Sequence, residues 1–250
     1  MSEVMRILQR GYEMMWREDR LEDALIGLDP GFEWVVPGHP EGDVRQGADA
    51  TIAFFRDWIE PWAELQVDWE LHAADPDRVL AILTMSGRGR ESGAPVEMRV
   101  GQLWTFKEGR ATRMVMYYDV DEAMREMVVR RATTAYGSGD YEAVIPYLAE
   151  DVVWEEDPSW PDGQIWHGHD GVRSAFRERL ESTSIEVEID ELVARGKRVL
   201  TLMTWTAEGQ GSGATGVLRP GVIYEFEGEL VKRTRFFLDP VRARQEFEGD

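Results

Sequence analysis

Cysteine is absent from the 250 residues, which excludes disulfides, thiolate nucleophiles and cysteine-based metal sites. Histidine is scarce, with four in all. His167 and His169 form the one close pair, and no third and fourth ligands stand at a spacing that would complete a metal site. His169 near a helix start, His39 in a loop and His72 on the polar face of a strand all read as ordinary structural residues. No run rich in lysine or arginine offsets a formal charge of −20, so phosphate backbones and anionic lipid are repelled. Nucleic acid and membrane are thereby excluded as expected partners. No apolar run approaches the length of a membrane span, and Met1-Ser2-Glu3-Val4 lacks the basic and apolar regions of a secretion signal. A cytoplasmic protein is the expectation. Gly-x-Ser-x-Gly and dinucleotide fingerprints are also missing, and no cofactor is expected.

What the chain does contain is itself, twice. Trp34 and Trp154 stand 154 − 34 = 120 residues apart, and the same offset pairs Val67 with Val187, Arg78-Val79-Leu80 with Arg198-Val199-Leu200, Gly101 with Gly221 and Phe106 with Phe226. It slips by one around the middle helix, where Gly47 matches Gly168 and Phe55 matches Phe176. A repeat of this length describes two domains, at 1–122 and 123–250. Asp119 or Asp121 is placed to cap the helix that opens the second, leaving no room for a flexible linker. Duplication of a dimeric domain in one chain predicts an intrachain pseudo-dimer with its sheets face to face. A further homodimer of whole chains is left open.

Within each copy the apolar period changes from helical to alternating. Helices are expected over 3–18, 21–28 and 48–60, and again over 127–137, 141–148 and 171–181. Short strands at 32–36 and 152–156 precede Pro/Gly-rich loops. Four strands then close each copy, beginning with Leu65, Val67, Trp69 and Leu71 in the first and Ile185, Val187 and Ile189 in the second. The later strands fall at 78–88, 96–107 and 111–118, then at 198–208, 216–227 and 230–238. Helices followed by a run of strands make an α+β fold.

Asp151-Val-Val-Trp-Glu-Glu-Asp-Pro158, His167-Gly168-His169-Asp170-Gly171-Val172 and the closing Phe237-Leu238-Asp239-Pro240 resemble the SnoaL-like, NTF2-like (ketosteroid-isomerase-like) superfamily. The first copy resembles it through Phe32-Glu33-Trp34, Arg45-Gln46-Gly47-Ala48-Asp49 and Tyr117-Tyr118-Asp119. The resemblance implies two tandem cones, each three helices on a curved antiparallel sheet. It also implies where an isomerase set of a carboxylate base and two oxyanion donors would fall. The tyrosine position holds Tyr12 in the first copy and Ala132 in the second. The hydrogen-bonding acid's position holds Gln102 and Val222. The base position holds Val36 and Pro37 in the first copy, Glu156 and Asp157 in the second. Neither copy is complete.

The candidate catalytic residues are therefore Asp157 and Glu156, carboxylates beside apolar rings whose charged form burial and mutual repulsion would disfavour. Asp-Pro as ordinary turn chemistry is the bland alternative. Tyr12, Trp16, Trp34, Gln102 and Trp104 in the first copy, and Trp154, Trp166 and Tyr224 in the second, are the candidate ligand-binding residues. Most of the large rings also serve as core. Arg99 and Arg219 recur in both copies, and Glu97-Met98-Arg99 is a faint echo of an epoxide-opening relay. Two functions follow. One is an apolar pocket for a polyketide-, steroid- or terpenoid-like compound, with cofactor-free isomerase, cyclase or hydrolase chemistry. The other is a non-catalytic binding or assembly module.

Overall fold

The computed structural model describes residues 2–25, 27–37, 44–160, 163–180, 183–209 and 215–249, and His39 lies outside them. The chain divides into two compact units, Met1–Ala123 and Met124–Asp250. The first contains α1 (Glu3–Trp16), α2 (Leu21–Leu25), β1 (Leu28–Val35), β2 (Val44–Gln46), α3 (Ala48–Ile59), β3 (Trp62–Asp75), β4 (Arg78–Gly89), β5 (Pro95–Lys107) and β6 (Arg110–Tyr117). Next comes α4 (Val120–Gly137). The second unit continues through β7 (Leu148–Glu155), β8 (Ile165–His167), α5 (Gly168–Leu180), β9 (Thr183–Arg195), β10 (Arg198–Gly209), β11 (Thr215–Leu218), β12 (Gly221–Glu227), β13 (Leu230–Phe237) and α6 (Pro240–Gly249).

Strand order in the first unit is β2-β1-β6-β5-β4-β3. In the second it is β8-β7-β13-β12-β10-β9, with β11 also pairing to β10. Both sheets are mixed rather than antiparallel throughout, because β1 runs parallel to β6 and β7 parallel to β13. The strand that leaves the helices lies beside the last strand of its unit, and a helical connection can bring it in along either direction.

Three further differences have local causes. Residues 141–148 form two short 3-10 turns, Tyr141–Ala143 and Ile145–Tyr147, instead of a helix, since Pro146 has no N–H to extend one. Proline also splits the strand expected over 216–227. Pro220 cannot donate to the ladder, so β10 pairs with β12 through residues 198–202 and with β11 through residues 205–208. The Pro/Gly-rich loops each contribute a short edge strand, β2 and β8.

Helix α4 does two jobs. Asp119 accepts the Asp121 N–H at 2.9 Å and caps its start, as Asp239 accepts the Val241 N–H at 2.9 Å to cap α6. The first turns of the two helices pack on matched glycines. A Cβ on Gly101 would lie 2.6 Å from the Ala123 Cβ, and one on Gly221 would lie 2.3 Å from the Ala243 Cβ. Further along, Val128, Val129 and Ala132 of α4 enter the core of the second unit. Gly47 and Gly168 precede or open the middle helices with φ of 83° and 67°, a conformation costly for any side chain.

Each cone has its own core. In the first, Phe32, Val79, Leu83, Met85 and Val100 are fully enclosed, each worth about 2 kcal/mol of apolar burial. In the second, Val129, Val152, Val172 and Val199 hold the corresponding centre with smaller side chains.

Candidate functional site

In the first cone, α1 and β5 bring three polar side chains together. The Tyr12 hydroxyl donates to Gln102 Oε1 at 2.6 Å and accepts from Trp104 Nε1 at 2.9 Å. Tyr12 is 2% exposed, and burial pushes its pKa up against the opposing pull of the Trp104 N–H. The two groups expected to meet a ligand therefore satisfy each other. Around them Trp16 packs on Phe55 with ring centroids 5.3 Å apart, and Trp34 packs edge-on to Phe54 at 5.0 Å. The space left between Tyr12, Trp16, Trp34, Phe55, Gln102 and Trp104 is about 20 Å3, enough for one water and no organic ligand.

The matched positions of the second cone hold Ala132, Val222 and Tyr224. Removing a phenol and an amide leaves a cavity of about 40 Å3 lined by those three residues, Thr133 and Trp154 among others. Burial raises the Tyr224 pKa, while the hydroxyls of Thr201 and Thr133 draw it back. Thr234 Oγ1 and Trp205 Nε1 are buried without a hydrogen-bond partner, as are Trp16 Nε1 and Trp34 Nε1 in the first cone. Thr201 pairs across the sheet with Val222, and Thr234 with Tyr224 and Trp154, which places both threonines on the face that lines the cavity. Their first-unit counterparts are Ala81 and Met114, which need no partner.

A larger cavity of about 150 Å3 lies toward the rim and shares Tyr136, Trp154, Trp205 and Phe236 with the smaller one. Six rings form a continuous arc on its wall. Trp160 meets Phe236 at 5.7 Å, Phe236 meets Trp205 at 5.1 Å, and Trp205 meets Tyr136 at 5.5 Å. Tyr136 meets Phe176 at 5.3 Å and Phe176 meets Trp154 at 5.2 Å. Glu156 is the one carboxylate among the lining residues, and no Lys, Arg or His joins it among the described residues. Its Oε2 accepts the Gln164 N–H at 3.0 Å.

Each of the three adjacent acids has its own partner. Glu155 is paired with Arg233 at 2.5 Å. Asp157, 3% exposed, accepts the Ser159 N–H at 2.9 Å and the Leu238 N–H at 3.0 Å, with Arg242 at 3.8 Å. Burial alone would raise its pKa, but the Ser159 hydroxyl and N–H, the Leu238 N–H and Arg242 together hold it below the ordinary carboxylate value. The expectation of a base with a raised pKa is thus reversed for Asp157. It latches the loop carrying Trp160 to the end of β13, and it lines neither cavity.

Trp154 and Tyr224 line the smaller cavity. Trp166 does not, although it pairs with Trp154 across β7 and β8. His169 Nε2 contacts the Leu148 carbonyl at 3.0 Å, a structural tie. Tyr136 and Phe236 were not among the sequence candidates. The repeat offset carries the signal for Tyr136, which stands where Trp16 lines the first cone, but Phe236 replaces Met116 and has no aromatic counterpart.

A family model for the SnoaL-like domain matches residues 8–114 and 129–234. No curated protein is similar enough in sequence to match. Among solved structures, an NTF2-like protein of unknown function from Burkholderia pseudomallei K96243 is 23% identical, covering 49% of this chain and 95% of its own, with a TM-score of 0.42. An NTF2-like protein from Burkholderia xenovorans LB400 is 21% identical over 49% of this chain and 95% of its own, at a TM-score of 0.40. TerC, crystallised with polyporic acid, is 21% identical over 50% of this chain and 98% of its own, at 0.42. With the family match covering both halves, the chain belongs to the SnoaL-like domain family and carries that domain twice.

Proposed function

We propose that the chain is a small-molecule-binding protein in which the second cone holds the ligand and the first is a structural partner. The observation that carries this reading is the cavity of about 150 Å3 behind the six-ring arc, set against two smaller spaces in the first cone, about 20 Å3 between Trp16, Trp34 and Gln102 and about 50 Å3 between Leu8, Leu28 and Phe106. A dry apolar cavity of about 150 Å3 takes a benzene-sized ring, and the adjoining space of about 40 Å3 accommodates a substituent. The ligand is an apolar molecule of one or two rings. Trp205, which lines both spaces, supplies an indole N–H that has no partner among the described residues.

Two roles considered at the sequence level find places in this reading. Scaffold duty falls to the first cone, whose polar trio is internally satisfied. Acid-base chemistry on a bound ligand falls to Glu156, the one carboxylate on the cavity wall, and Glu156→Gln should then abolish turnover of any substrate found.

The test of binding is titration with 1-naphthylamine, a two-ring fluorescent probe that is neutral at neutral pH and so indifferent to the protein's charge. One saturable site per chain is expected. Ala207→Phe, placed on the cavity wall at a half-buried position, should abolish it. Two equivalent sites, or binding unchanged in Ala207→Phe, would overturn the reading.

A further inference from the structure

Trp205 stands on the wall of both spaces in the second cone and is 9% exposed. Its Nε1 is buried and has no hydrogen-bond partner among the described residues. An indole nitrogen donates and cannot accept, and a buried donor with no partner is costly. What satisfies it is an acceptor that occupies the space it borders.

Trp16 and Trp34 show that an unpartnered indole is not enough by itself. Their Nε1 atoms are buried without partners too, but they border a space of about 20 Å3, where one water is the largest guest. At the position of Trp205 the first cone has Met85, fully enclosed in the core and with no proton to donate. The donor and the room beside it therefore arrive together in the second cone.

The groups around the smaller space set the kind of acceptor. Thr133 and Tyr224 also line it, and their hydroxyls engage each other. No Asp, Glu, Lys, Arg or His lines it among the described residues, so an ionised head group would be buried there without a counter-charge. A carbonyl avoids that cost. It brings an acceptor oxygen, no charge, and no proton that needs a partner of its own.

We infer that Trp205 is the specificity-determining donor of the second cone, and that its ligand is a one-ring aromatic compound bearing a small neutral carbonyl group. This deepens the binding reading above and rests on it. The ring takes the space of about 150 Å3 and the substituent the adjoining space of about 40 Å3, with the carbonyl oxygen accepting the Trp205 N–H.

The test compares acetophenone with α-methylstyrene, which carries a CH2 group in place of the carbonyl oxygen, by calorimetry on the full chain and on Trp205→Phe. The space freed by the smaller ring acts on both ligands, so the ratio of their affinities is the quantity read. Loss of the N–H should shift that ratio about tenfold toward α-methylstyrene. β-(3-Benzothienyl)alanine incorporated at position 205 keeps both rings and puts sulfur in place of the N–H. It should give the same shift, and it decides the matter if Trp205→Phe does not fold. A ratio that moves by less than about twofold in the folded variant, or a wild-type chain that binds α-methylstyrene and not acetophenone, overturns the carbonyl assignment and leaves the pocket. Binding of neither compound to the wild-type chain overturns the pocket and the assignment together.

Discussion

Tyr12, Gln102 and Trp104 in the first unit and Ala132, Val222 and Tyr224 in the second stand at matched positions on matched elements. One set closes a hydrogen-bonded chain through the middle of its cone. The other leaves a cavity with unpartnered threonine and tryptophan atoms around it. The frames meanwhile agree in detail. Asp119 and Asp239 cap equivalent helices, and Gly101 and Gly221 admit equivalent alanines. Gly47 and Gly168 both take a positive φ. A fold of this kind keeps its capping and close-approach residues in both copies, whatever fills the interior. Loss of the donors in the second copy looks like loss of function in the sequence, but in the structure it is what makes room.

The largest effect should come from emptying the filled cone. Tyr12→Ala removes a buried ring and strands both Trp104 Nε1 and Gln102 Oε1, and large aromatic-to-alanine changes cost about 4 kcal/mol. Urea unfolding of the full chain should show a loss of that order, and a loss under about 1 kcal/mol would mean the trio is dispensable. The milder Tyr12→Phe should still cost about 1–3 kcal/mol, since it keeps the ring and removes only the hydroxyl.

The latch should come next. Asp157→Asn replaces an acceptor oxygen with a donor facing N–H groups, and removing a charged acceptor from such a site costs about 2 kcal/mol. Its pH dependence has a definite sign. The folded-state pKa lies below the ordinary carboxylate value, so the latch contributes fully above that value and is lost as pH falls through the folded one. The stability gap between wild type and Asp157→Asn should therefore be widest near neutrality and close in acid. A gap that instead widened in acid would contradict the assignment.

Filling the open cone should change stability least. Ala132→Leu places three carbons in a cavity of about 40 Å3, and the change should stay within about 1 kcal/mol while binding of 1-naphthylamine weakens. A large destabilisation would show that the space is already occupied.

The frame was legible in the sequence because it rests on local chemistry that repeats with the chain. Aspartate caps and alternating apolar residues are visible at the 120-residue offset, and the glycines at positive φ, Gly47 and Gly168, at the slip of one around the middle helix. Tyr12, Trp16, Trp34, Gln102 and Trp104 of the first cone do converge around one small space. Their role was not legible, because a tyrosine and a glutamine that could bind a ligand look no different from a pair that bind each other. Asp157 misled for a similar reason. Its partners Leu238 and Arg242 lie about eighty residues away, and nothing near Asp157 in sequence reveals them. Proline gave the other surprises, at Pro146 and Pro220, where one missing N–H reshaped an element that side-chain pattern alone would have continued.

The central claim is that one cone is filled and the other is open. Xenon under pressure enters dry apolar cavities of this size, so a crystal of the wild-type chain pressurised with xenon tests it most directly. Density is expected beside Tyr136, Trp205 and Phe236 in the second unit and none among Tyr12, Trp34 and Phe55 in the first. Equal density in both cones, or density in the first alone, would contradict the account.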